Sequence, residues 1–489
     1  MSTRAADERG LLATLRDGGA PLAVIVAVGL VARIIQLNSS YWTDEILALQ
    51  RSFRLPVSEI VTTFFGDTHH PLYSVMARIS LVVFGESPWA VRLPAALFGV
   101  AAIGMTWAVA RLAVSRREAL FASLLLALSY HHVWFSQNAR GYTLLGFLAL
   151  LTTWILVRLL ERPTWRLGLG YAWCAALGAY THLTMVFVAV GHALVVIVEL
   201  VRPLAGRPRV DWRILTAAFA GAAVATLLLY APMLGQVLDF FMNQPSDLRG
   251  TSTPAWALGE AIRVLFTGIN APPVIVGTIL AVGLVIGISG FVTLFRANRN
   301  LALAFAFPPL VVLFGALLGR GTMYPRFFFF AAGSAVIVFV RGIFAVADFG
   351  ASRFRVSSST PAVVVASLVM IASAATLAVN YRYPKQDFPG AMRYVLAEKA
   401  PGDVVGFAGV PGDPYRSIFG QDWPTIETTA QVDSLRSRGR VWLIYTFPRY
   451  LRLGAPDVAA MVSRECRERA VFRGTVGGGD MIICTFEPA

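Results

Sequence analysis

The chain has 489 residues, of which 56% are hydrophobic and 14% are charged. Soluble domains carry about 25% charge, so a soluble globular protein is excluded, and repeated long apolar runs indicate a polytopic membrane protein. The net charge of +14 does not point to nucleic acid, because the arginines fall at the ends of apolar runs, as membrane topology requires, and form no single patch.

Taken in chain order, Pro21–Leu37 reads as a retained first span, since no small-residue cleavage site follows it. Further spans are expected at about 90–111, 119–136, 143–160, 167–182, 183–201, 213–231, 272–295, 301–318, 326–347 and 360–380, about eleven transmembrane helices in all. Arg4, Arg9 and Arg16 precede the first span and place the N-terminus inside. The loops that then fall inside carry Arg111/Arg116/Arg117, Arg158/Arg162/Arg166, Arg202/Arg207/Arg209/Arg213, Arg296/Arg299 and Arg353/Arg355. Pro71–Phe84 is apolar but too short to span, because a crossing helix needs about 20 residues. It is expected to lie along the outer surface, within an outer loop of 38–89. A second outer loop, 232–271, is rich in Pro, Asn and Gly, with an amphipathic piece near Ala255–Phe266. Loops of this length are usually functional.

Beyond Tyr381 the apolar runs shorten to strand length at Asp403–Phe407, Arg440–Tyr445 and Asp480–Phe486, with helical patterns at 387–399 and 456–470. This alternation indicates a small α/β domain. The expected division is therefore a transmembrane region, 1–380, and an outward-facing α/β domain, 381–489. Cys174, Cys466 and Cys484 show no metal-binding spacing. For Cys466 and Cys484, a disulfide and a pair of buried thiols are both open.

On this topology the unusual polar groups gather at the outer face. They are Asp44 and Glu45 after the first span; His69, His70 and Tyr73; the run Tyr130–Tyr142 with Arg140; Tyr180-Thr-His182; and Arg320–Arg326. Acid, imidazole, tyrosine and guanidinium at one membrane face suit transfer from a lipid-phosphate donor. A carboxylate takes the proton of the attacking hydroxyl, and cations stabilise the leaving phosphate. Each group also has a bland explanation. Asp44 is able to cap a short helix, Arg140 and Arg326 to snorkel to headgroups, and His131 and His132 to be structural. A lipid or solute transporter using the outer acids as an ion site is the rival class, but transporters often show inverted repeats and none is visible here.

The motifs occur in a recognisable order: Trp42-Thr43-Asp44-Glu45, His69-His70-Pro71-Leu72-Tyr73, Arg92–Gly99, Gln137–Leu145, Tyr180–His182 and Arg326. In this the sequence resembles the polytopic GT-C glycosyltransferases, in particular bacterial relatives of the dolichyl-phosphate-mannose protein mannosyltransferases (glycosyltransferase family 39) and the lipid A aminoarabinose transferase. Two departures stand out: His70 replaces a proline, and Asn138 stands where relatives often carry Glu. The second removes an acid from the site, so no metal ligands are assigned and a divalent cation stays open as a cofactor. The resemblance implies the GT-C fold, a polyprenyl-phosphate sugar donor and inversion at the anomeric carbon. It assigns Asp44 as general base, with Glu45 orienting its surroundings. Arg140, Arg326, His69, His182, Tyr73 and Tyr142 are the expected donor-phosphate residues. The acceptor hydroxyl is expected on a lipid, glycan or protein. Membrane lipids, not nucleic acid, are the other expected partners, and the bacterial cytoplasmic membrane is the expected location.

Overall fold

The computed structural model describes residues 10–66, 68–204, 210–243, 254–266, 272–319, 324–354, 359–409 and 414–488. Arg4, Arg9, Arg207, Arg209, Arg320 and Arg355, and parts of the 232–271 loop, lie outside the described residues. The chain divides into two compact units. One comprises Met1–Leu37, Leu55–Glu86 and Ala90–Leu377; the other comprises Asn38–Arg54, Ser87–Trp89 and Ala378–Ala489. The first unit ends at Leu377, and the second unit also takes in the chain around Asp44.

The first unit is helical. It begins with α1 (Leu11–Ile34), whose regular path is broken at Gly19 (φ 57°, ψ −152°) just before Pro21. Proline suits the first turn of a helix, which explains why the apolar run read as a span begins there. Gln36 takes a left-handed φ of 62° and stops the helix three residues earlier than expected. Within the second unit lies the short α2 (Thr43–Ala48). The first unit continues with α3 (Val57–Thr62), α4 (Pro71–Phe84) and α5 (Pro88–Ala110, whose first two residues belong to the second unit). The buried face of α4 carries Tyr73, Ser74, Ala77 and Ser80, while Ile79, Val82, Val83 and Phe84 are exposed.

The stretch 119–136, expected as one span, is two helices, α6 (Arg116–Leu128) and α7 (Tyr130–Ser136), bent by 57°. Ser129 causes the break: its backbone is extended and its hydroxyl accepts from His132 N–H, starting a new helix. Then follow α8 (Tyr142–Glu161), α9 (Trp165–Thr181), α10 (Met185–Val201), α11 (Trp212–Tyr230), α12 (Leu234–Met242) and α13 (Pro254–Leu265). The last helices of the unit are α14 (Pro273–Ala297), α15 (Arg299–Gly319), α16 (Ala332–Phe354) and α17 (Ser359–Arg382, which ends in the second unit). Gly290 and Gly342 let α14 and α16 cross closely, since a Cβ on either would lie 2.0 Å from a carbonyl oxygen of the other helix. Seven described helices are long and apolar enough to cross a membrane, or eight if α6 and α7 together form one span; Met185–Val201 and Arg299–Gly315 are apolar but shorter.

The second unit contains a four-stranded sheet in the order β1-β2-β4-β3, from β1 (Val404–Ala408), β2 (Val441–Tyr445), β3 (Arg467–Phe472) and β4 (Met481–Phe486). β1 and β2 are parallel and the other pairs antiparallel. Around the sheet are α18 (Phe388–Glu398), α19 (Pro414–Phe419), α20 (Thr429–Arg436), α21 (Pro448–Gly454) and α22 (Pro456–Glu465). The helix expected over 456–470 stops at Glu465, and Arg467–Phe472 is a strand. It is an edge strand with exposed Arg467 and Glu468, the charged pattern that protects an open sheet edge. Cys466 and Cys484 form a disulfide across this hairpin, with Cα atoms 5.5 Å apart.

Candidate active site

Arg140 stands on the turn 137–141 between α7 and α8. Gln137 anchors this turn: its Nε2 lies within hydrogen-bonding reach of the carbonyls of Ala32, Arg33 and Ile35, at the end of α1. That satisfies acceptors which a helix terminus leaves open. Gly141 admits a close approach at the same turn, because a Cβ there would lie 2.8 Å from Thr181 and 3.0 Å from the His70 ring. Arg140 is 2% exposed, with its guanidinium 5.9 Å from the Tyr142 ring centre.

Around this turn the first unit brings together three imidazoles from two segments. His70 precedes α4 and lies 4.9 Å from His182 and 5.3 Å from Tyr142, ring centre to ring centre. Tyr142 is 5.4 Å from His182. His69 packs on Phe65 and Phe64, at 5.0 and 6.2 Å. The 3₁₀ turn Pro325–Ala331 adds Arg326 and sets Phe327 6.2 Å from His182. The Arg326 guanidinium lies 4.7 Å from the Tyr324 ring.

The histidines are neutral near pH 7. Burial pushes His69 down to about 4, with Arg140 adding to the effect. Burial, Arg140 and Arg326 push His182 down to about 3. His70 is driven well below its ordinary value by burial, then chiefly by Arg140 and His182. Positive charge in the cluster is therefore supplied by the two guanidiniums. The tautomer of His182 is fixed by chemistry: the Thr184 backbone N–H, which can only donate, points at its Nδ1 at 3.2 Å. The ring proton is then on Nε2, ready to donate. All four ring nitrogens of His69 and His70 are buried without a hydrogen-bond partner among the described residues. Buried polar groups in this state call for a ligand or water.

The Tyr73 O–H donates to Val91 O at 2.7 Å and joins α4 to α5. Sequence reading also passed over residues that position the site. Arg92 donates to Leu37 O at 2.8 Å. Arg33, fully buried, reaches His132 Nδ1 at 2.7 Å and Ser136 Oγ at 3.0 Å, which makes His132 structural. With Gln137, these residues hold the last turn of α1 and the chain leaving it. An arginine inside an apolar span was the available signal.

In the second unit, Asp44 and Glu45 lie in the first turn of α2, where the helix dipole favours carboxylates. Asp44 is not the cap, because the helix starts after Trp42. Asp44 is half-buried, whereas Glu45 is fully buried and accepts from Trp42 N–H. Glu45 thus orders the helix start and Asp44 retains some exposure. Among the described residues, no group of three or more His, Cys, Asp or Glu is arranged to hold a metal ion.

Comparison with known proteins adds the relationship. Residues 68–235 match the family model described as dolichyl-phosphate-mannose-protein mannosyltransferase. This is a segment of the chain, and it contains the His69–Tyr73, Arg92–Gly99, Gln137–Leu145 and Tyr180–His182 motifs. No curated protein matches the chain in sequence. Among solved structures, ArnT from Cupriavidus metallidurans in the apo state is 15% identical, with a TM-score of 0.52 over 95% of this chain and 97% of that one. ArnT bound to undecaprenyl phosphate gives 14% and 0.51 over the same shares. The Archaeoglobus fulgidus oligosaccharyltransferase tethered with an acceptor peptide gives 12% and 0.54, over 95% of this chain and 74% of that one. The chain has the GT-C fold, and its segment 68–235 is similar to the dolichyl-phosphate-mannose-protein mannosyltransferase family model.

Proposed function

We propose that the protein is an inverting glycosyltransferase that moves a sugar from a polyprenyl-phosphate donor to an acceptor hydroxyl on the outer face of a bacterial cytoplasmic membrane. The observation that carries this reading is the cluster of buried Arg140, His69 and His70 with half-buried Arg326 and His182, in which four ring nitrogens lack partners among the described residues. Two guanidiniums beside neutral imidazoles suit a phosphate monoester: the arginines meet its charge with forked hydrogen bonds, and His182 Nε2–H adds a donor. The undecaprenyl phosphate bound to ArnT supports a polyprenyl phosphate as the lipid.

On this reading Asp44 takes the proton of the acceptor hydroxyl as its oxygen attacks the sugar carbon from the side opposite the phosphate. The new glycosidic bond forms as the sugar–phosphate bond breaks, inverting the anomeric carbon. The bond electrons leave on the phosphate oxygen, whose charge Arg140 and Arg326 stabilise. Glu45, buried at the start of α2, orients the helix and leaves the proton to Asp44. The Cys466–Cys484 disulfide supports an oxidising compartment for the second unit. The test is transfer by the purified protein from a panel of polyprenyl-phosphate sugars, with mass spectrometry of candidate acceptors. Sugar transfer with inverted anomeric configuration is expected. Failure with every polyprenyl-phosphate sugar, alongside transfer from a nucleotide sugar, overturns the reading.

A further inference from the structure

Within the second unit, α2 is tied to residues that follow it by more than 300 positions, through one buried amide. Gln386 is fully buried. Its Oε1 accepts from both the backbone N–H of Thr43, at 2.8 Å, and the Thr43 hydroxyl, at 2.7 Å. Its Nε2 donates to Thr446 Oγ1 at 3.0 Å. The orientation of this amide is not arbitrary. A backbone N–H can only donate, so the oxygen must face Thr43, and the nitrogen then faces Thr446. The Thr43 N–H belongs to the first turn of α2, where the helix supplies no acceptor of its own. Thr446 directly follows β2, whose Val441–Ile444 are buried between two other strands. Ser40 Oγ adds a weaker bond to the Gln386 carbonyl at 3.4 Å.

We propose that Gln386 is a positioning residue for Asp44: it fixes the start of α2 to the rigid end of β2 and so sets the direction in which the Asp44 carboxylate points. This rests on the reading of Asp44 as general base. Asp44 directly follows Thr43, so any turn of the first residue of α2 rotates the acid. A misplacement of about 1 Å at a reacting group costs on the order of 100-fold in rate. Gln386 acts on orientation and takes no part in donor binding, so its loss belongs in kcat and leaves the donor KM alone.

The experiment is a two-by-two comparison of the full-length protein with Gln386→Leu, Asp44→Asn and the double variant, measuring kcat and donor KM. Leu keeps the approximate volume and removes both hydrogen-bonding ends. In the Asp44 background, Gln386→Leu is expected to lower kcat roughly 10–100-fold with donor KM within about twofold. In the Asp44→Asn background the same change is expected to have little further effect, because the group being aimed is gone. Equal fractional losses in both backgrounds would make Gln386 a general structural residue and overturn the proposal. A normal Gln386→Leu enzyme also overturns it, while a crippled Asp44→Asn leaves the functional reading standing. A normal Asp44→Asn enzyme removes that reading itself. If Gln386→Leu fails to fold, Thr446→Val, which removes only the acceptor for Nε2, is put through the same cycle and read by the same outcomes.

Discussion

Asp44 shows how much a single residue can declare from sequence alone. Two acids after an apolar span stand out in sequence, and the structure separates them by burial: Glu45 is enclosed and bonded to the start of its own helix, Asp44 is half-open. Asp44→Asn keeps the shape and removes the carboxylate proposed as the base. It is expected to lower turnover by roughly 10²–10⁴-fold with donor affinity unchanged; turnover within a fewfold of the parent refutes the role. Arg140 and Arg326 draw notice in sequence for the same reason, as charges beside apolar segments. Arg326→Lys and Arg140→Lys should each weaken binding of polyprenyl phosphate, because an ammonium cannot present the planar fork; titration calorimetry with the lipid phosphate reads this directly, and unchanged affinity in both variants would leave the arginines outside the donor site. The contacts of Gln137, Arg33 and Gln386 were not legible. Their meaning lies in carbonyls and hydroxyls about one hundred or more residues away in the chain, and neither periodicity nor spacing carries that information.

The helices were read well wherever hydropathy alone decides them, and misread wherever a local hydrogen bond overrides it. The break at Ser129 is invisible to an average over apolar residues, because one hydroxyl and one N–H make it. β3 was taken for the end of a helix because an edge strand is charged, as a surface helix is. The proposed donor cluster depends on an element of this kind, the turn 137–141, whose closeness to α9 and to His70 needs a glycine. Gly141 has an ordinary backbone angle (φ −73°), so the requirement is space alone. Gly141→Ala is expected to push His70 and Thr181 apart and to weaken donor binding by roughly tenfold or more, on the view that a forced shift in packed surroundings costs about 1–3 kcal/mol. Gly141→Ala with wild-type donor affinity would show that the His70 approach is irrelevant to binding.

For the molecule as a whole, the neutral histidines tie stability to pH. His69 and His182 have folded values of about 4 and about 3, below the ordinary 6.5. Between those values the unfolded chain holds more protons than the folded one. Their contribution is therefore complete above pH 6.5 and is lost as pH falls toward 4, at up to about 1.4 kcal/mol per pH unit for each site. The melting temperature of the ligand-free protein in detergent is expected to drop between pH 7 and pH 5, and His69→Asn and His182→Asn should each flatten that slope; a flat parent profile contradicts the burial of neutral rings. The disulfide acts on the second unit alone. It links cysteines 18 residues apart, so Cys466→Ala with Cys484→Ala should lower that unit's stability by about 3 kcal/mol, seen as earlier proteolysis of its sheet region. The bond between Thr43 and Gln386 has a consequence in time. Their sequence separation is 343, and at about 5–20 residues per second a ribosome needs roughly 20–70 s to travel it. The nascent chain therefore carries its acid long before it owns the amide proposed to aim it. On the proposed function, an unfinished chain already threaded into the membrane, and already holding its arginines and histidines, would bind lipid phosphate without an aligned base. Catalytic competence would then arrive late, with the last quarter of synthesis, and a protein that stalls or is clipped before β2 should sequester donor without turning it over.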